Sequence, residues 1–84
     1  MAMKQTLAAY MAGVSAADEA RCDGWMAEGD ELRAAVGWRV FQGKADVMAV
    51  VTGVPEDAIK AFVETGEISE AHRRILEVAR TEAP

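Results

Sequence analysis

The sequence predicts an all-α fold, a small bundle of five to six short helices. Three observations carry this. The 84-residue chain is rich in Ala, the strongest helix former. It holds only two prolines and no Asn, so Asn-Gly hairpin turns are absent. No long alternation of apolar and polar residues occurs, which a half-buried strand would need. With 51% hydrophobic residues the chain can fill one modest core, and we treat residues 1–84 as one domain.

The elements follow in order. Lys4 to Ala12 reads as a first helix, with Leu7, Tyr10 and Met11 on one face and Gly13 ending it. Ser15 suits the N-cap of a second helix whose opening turns carry Asp18 and Glu19. Val14, Ala17, Cys22, Trp25 and Met26 make its apolar side. Gly24 weakens it by roughly 1 kcal/mol relative to Ala, leaving open whether it reaches Ala27. Gly29 stops it, and Asp30 opens a third helix that buries Leu32, Ala35, Val36 and Val40, with Trp38 or Phe41 beside them. Gly37 is a second weak point, and Gly43 is the end.

Ala45 to Thr65 reads as two short helices joined at Gly53. A left-handed Gly lets two helices meet at a corner. Ala49 lies one turn earlier and is small enough for close approach, and Val54 plugs the corner. Ile59 and Phe62, three apart, share one face of the second helix. Pro55, Glu56 and Asp57 suit its first turn, where a missing N–H costs nothing and the dipole favours negative charge. Gly66 closes this helix. Ser69 opens a last one to about Arg80, with Ile75, Leu76 and Ala79 inward and a fraying TEAP tail.

Ala49, Gly53, Val54, Ile59 and Phe62, continued by Gly66, Ser69, Ile75 and Leu76, resemble the helix-turn-helix of the lambda-repressor-like (Cro/CI, XRE-type) DNA-binding proteins. The likeness runs from about Leu32 to Arg80 and gives residues 30–81 a helix-turn-helix-like core. The resemblance implies a small DNA-binding transcriptional regulator, dimeric, with the helix Pro55 to Glu64 in the major groove. Lys60 would then face a base or phosphate. Lys44, Arg39, Arg73 and Arg74 would contact backbone phosphates, and residues 1–29 would supply the dimer or partner surface. The outward positions of the groove helix hold Glu56, Asp57, Lys60, Ala61 and Glu64 where Gln, Arg, Asn and Ser usually read bases.

Charge leads to the alternative. The net charge is −5, and it divides as −3 over residues 1–30, +1 over 31–54 and −3 over 55–84. No basic block of the kind that binds nucleic acid or anionic lipid occurs. An acidic helical protein–protein interaction module, a phage- or plasmid-type inhibitor or adaptor docking on a basic protein surface, fits this balance. Trp38, Glu56, Asp57 and Glu64 are its candidate contacts, Trp38 as an exposed aromatic. The partner is thus double-stranded DNA or a basic protein surface, with a homodimer expected and no membrane.

Nothing in the chain points to an enzyme. Cys22 has Asp18, Glu19 and Asp23 near it, which disfavour a nucleophilic thiolate. His72 is the single histidine, with no further ligands at a metal-binding spacing, so no metal and no cofactor are expected. Pairs such as Asp18-Glu19, Asp30-Glu31 and Glu56-Asp57 sit at helix starts, where the dipole explains them. One cysteine excludes an intramolecular disulfide, and with no transmembrane-length run the expected location is cytoplasmic.

Overall fold

Three of the five described helices start at a side-chain cap, and the other two start at Lys44 and Pro55 without one. A computed structural model describes the backbone of residues 14–82 and the side chains of residues 14–80. The helix expected over Lys4 to Ala12 lies outside the described residues. In α1, Ala16–Ala27, the Ser15 hydroxyl accepts from the Asp18 N–H at 3.1 Å. In α2, Glu31–Phe41, the Asp30 carboxylate accepts from the Arg33 N–H at 3.1 Å. Then come α3, Ala45–Thr52, α4, Glu56–Thr65, and α5, Glu70–Glu82. Ser69 caps α5, its hydroxyl accepting from the His72 N–H. Among the described residues the fold is all-α, five helices and no strand.

The sequence expectations need correction at several positions. The second helix runs through Gly24 to Ala27 without a break. Its inward stripe is narrower than the apolar spacing suggests. Cys22 and Trp25 are buried, Met26 is half-buried, Val14 precedes the helix, and Ala17 faces water. Pro55 is the N-cap of α4, one position before its first turn. On α5 only Leu76 is fully inward, whereas Ile75 is 41% exposed. The largest correction concerns Trp38, expected as an exposed partner contact. It is 1% exposed and lies at the centre of the core.

That core forms around α2, which packs against each of the other four described helices. Leu32, Ala34, Ala35, Val36, Gly37 and Trp38 are all buried, so the helix has almost no solvent side through its middle. A helix can be enclosed in this way only if some of its positions are small enough for neighbours to approach closely. Gly37 is the tightest case. A methyl group there would lie 2.6 Å from Cζ3 of the Trp25 ring, so the indole of α1 rests directly on the α2 backbone. Val54, Ile59, Phe62 and Val63 from the α3–α4 unit, with Leu76 of α5, close the remaining sides.

Gly37→Ala should therefore destabilise the chain, although Ala is the better helix former. Overpacking against a buried ring costs about 1–3 kcal/mol, against a propensity gain of about 1 kcal/mol. A lower urea midpoint at unchanged slope is the expected readout, whereas an unchanged or higher midpoint would show that the ring can move aside.

Candidate interaction surface

The α3–α4 unit is built from two matching helix ends. At the end of α3 the Thr52 hydroxyl donates to the Met48 carbonyl at 2.7 Å and accepts from the Val54 N–H at 3.2 Å. The left-handed Gly53 donates its N–H to the Ala49 carbonyl. At the end of α4 the Thr65 hydroxyl donates to the Ala61 carbonyl at 2.8 Å and accepts from the Glu67 N–H at 3.1 Å. Gly66, also left-handed, donates to the Phe62 carbonyl. Each Thr-Gly pair satisfies terminal carbonyls and turns the chain, as helix C-caps require. Val54, directly after the first corner, is completely buried, which fixes α4 relative to α3.

Arg33 anchors this unit to the hub. Its Nε donates to the Val63 carbonyl at 3.0 Å and its Nη2 to the Glu64 carbonyl at 2.9 Å. Both acceptors lie in the last turn of α4, where carbonyls lack helical partners and a cation is favoured. The guanidinium also lies over the Trp25 ring, 4.3 Å from its centroid. Nothing in the local sequence marks Arg33 for this role. A carbonyl acceptor 30 positions away leaves no local signal.

The other predicted site residues fall on several elements. Lys44 is the exposed N-cap of α3, and among the described residues no ion pair involves it. Lys60 faces solvent on α4, where Glu56 Oε2 holds its Nζ at 3.0 Å. The Lys60 ammonium is kept above its ordinary pKa by that hydrogen bond, then by the charges of Glu56, Asp57 and Asp46. Arg74 pairs with Glu70 at 3.2 Å on the surface of α5. Arg73 is drawn inward to Asp30 at 3.3 Å, reaches Glu77 at 3.8 Å, and lies over the Phe62 ring. Arg39 is half-buried near the end of α2. Asp57 and Glu64 are exposed on α4 beside Pro55 and Ala61, and Arg21 reaches Glu64 at 3.5 Å. Glu56 is half-buried beside Lys60. Thus Lys60, Arg73 and Arg74 each have a carboxylate at hand.

One feature had no counterpart in the sequence reading. Val47, Val50 and Val51 stand out from α3 at 55%, 85% and 74% exposure. Val47 and Val51 are four apart, and Val47 and Val50 three apart, so they form one ridge. Asp46 lies one turn before Val50 on the same side. The run VMAVV, Val47 to Val51, carries this ridge. The inward positions of α3 are taken by Ala45, Met48 and half-buried Ala49, which leaves the valines outward.

Burial pushes the Cys22 thiol up from 9.0 to about 12, Asp18 and Asp23 add to the shift, and Arg21 and Trp38 oppose it. The Trp38 indole N–H is buried with no hydrogen-bond partner among the described residues. Among the described residues no group of three or more His, Cys, Asp or Glu could hold a metal ion, and no helix is long and apolar enough to cross a membrane. Comparison with known proteins finds no matching family model and no match among curated proteins or solved structures.

Two outcomes follow. Arg33→Ala should lower stability by about 1–3 kcal/mol in a urea titration, because two α4 carbonyls lose a charged donor. Arg33→Lys should recover only part of this, since an ammonium cannot reproduce the fork. For Cys22, the folded state holds the proton more tightly than the unfolded chain. Its contribution to stability is full below 9.0 and is lost as the pH rises toward about 12. Thiol alkylation at about pH 8 should accordingly be slow in the folded chain and fast in urea, where the thiol is exposed.

Proposed function

We propose that this chain is an acidic helical protein-interaction module that uses a helix-turn-helix-like scaffold without reading DNA. The valine ridge of α3 carries the reading. In a DNA-bound helix-turn-helix the first helix crosses the phosphate backbone while the second enters the groove. Here the exposed side of the first helix is mostly apolar, Val47, Val50 and Val51, with Asp46 among them, and Lys44 at its start is the one cation it offers a phosphate among the described residues. The second helix presents Glu56, Asp57 and Glu64 around a Lys60 already engaged by Glu56. Phosphate neutralisation supplies nearly all non-specific affinity for DNA. Uncovered apolar side chains grouped on one helix instead mark contact with another macromolecule, and here a protein fits them.

The helix pair with its buried Val54 corner favours a second reading, a DNA-binding transcriptional regulator. In that reading Lys60 would release Glu56 on binding, and Lys44, Arg39, Arg73 and Arg74 would meet phosphates.

Fluorescence anisotropy with mixed duplex fragments separates the two. We expect no saturable binding up to tens of micromolar at about 50 mM salt, with a folded helical spectrum and no change in Lys60→Ala. Saturable binding that falls steeply at about 200 mM salt and weakens in Lys60→Ala would replace the first reading by the second.

A further inference from the structure

We infer that the outer face of α3, together with the start of α4, docks a basic amphipathic helix of a partner protein. The inference rests on the interaction-module reading and names its surface and the chemistry of its partner.

The shape of the surface comes first. Val47, Val50 and Val51 leave a ridge on a helix of eight residues, about 12 Å long at 1.5 Å per residue. That length matches about two turns of a helix lying along it, with apolar side chains at i, i+3, i+4 and i+7. Charge then selects among occupants. Asp46 borders the ridge on α3, and Asp57 and Glu56 stand at the first turn of α4. Lys60 is held by Glu56 at 3.0 Å and lies near enough to Asp57 and Asp46 for both to act on its charge. Asp46, Glu56 and Asp57 outnumber Lys60 and the exposed Lys44 at the start of α3, three acidic side chains against two basic, so the border is net negative.

A second copy of the chain fits this face poorly. Two such faces would bring like charges together, which opposes association. Three part-exposed valines also cover much less than the roughly 800 Å² per partner of a stable dimer. A partner helix with an apolar stripe flanked by Lys or Arg meets the ridge with its stripe and the carboxylates with its flanks. The small apolar area places such a contact in the weak, transient class.

The test uses the full chain, labelled with nitrogen-15, and three synthetic helical peptides of equal length. One carries a Leu stripe flanked by Lys, one the same stripe flanked by Glu, and one the Lys content scrambled so that no stripe forms. The stripe-plus-Lys peptide should shift the amides of Asp46, Val47, Val50, Val51 and Asp57, with saturation at tens of micromolar or above. The other two peptides should bind at least about tenfold more weakly. The double variant Val50→Asp, Val51→Asp changes exposed positions only and should remain folded. It should lose binding by about tenfold or more. Asp46→Asn with Asp57→Asn should flatten the salt dependence between about 50 and about 200 mM.

Equal binding of the scrambled peptide would overturn the inference, as would shifts confined to another face, such as Ile75 and Val78. Saturating shifts at the ridge on self-association alone would also overturn it, by assigning the face to a second copy. None of these results bears on the interaction-module reading, which falls separately if duplex DNA saturates the chain.

Discussion

The Trp25 ring rests on the bare α-carbon of Gly37, and much of the structure depends on that contact. It brings α1 against the backbone of α2 at a distance no side chain would permit. The same ring lies under the Arg33 guanidinium and beside Phe41 and Arg21. Arg33 in turn holds the last carbonyls of α4. One indole thus couples α1, the enclosed helix α2 and the end of α4. A shift of the ring would loosen the arginine that fixes α4.

This arrangement explains how the outer face of the α3–α4 unit can stay so exposed. Stability comes from the inward side, where Val54, Ile59, Phe62 and Val63 meet α2. The outward side contributes little to folding, so Val47, Val50 and Val51 are not needed for the core. Apolar residues that do not support the fold, on a surface otherwise rich in charge, are best explained by something that covers them. The ion pairs point the same way. Arg73 helps hold α5 to the start of α2 through Asp30, while Lys60 and Arg74 are paired within their own helices. Such surface pairs add little to stability, but they reduce the positive charge available to a polyanion.

The punctuation of the fold was legible in the sequence. Ser15, Asp30 and Ser69 cap the helices where local chemistry says they should, and Gly53 and Gly66 turn the chain as expected. Ile59 and Phe62 are core residues because their spacing reports one buried face of α4, and Val54 fills the corner before it. Which helix is central was not legible. An enclosed helix such as α2 has no polar face, so periodicity gives no contrast. Gly37 reads as a weak helix position when it is in fact a point of close approach. The Gly beside Trp38 suggests looseness in sequence, where the structure has tight packing. The valine ridge was obscured in the opposite way. Apolar residues on a short helix look like core until a second element takes the inward positions. The candidate surface was thus only half visible, its acidic part from composition and its apolar part only from the fold.

Amide hydrogen exchange on the free chain tests the central role of α2 most directly. If α2 is the enclosed hub, its amides from Ala35 to Phe41 should exchange last, only through global unfolding, and Gly37→Ala should speed them together with those of α1 and the end of α4. Slowest exchange in α3 and α4, with α2 opening independently, would contradict it and make the helix-turn-helix-like pair the stable nucleus of the fold.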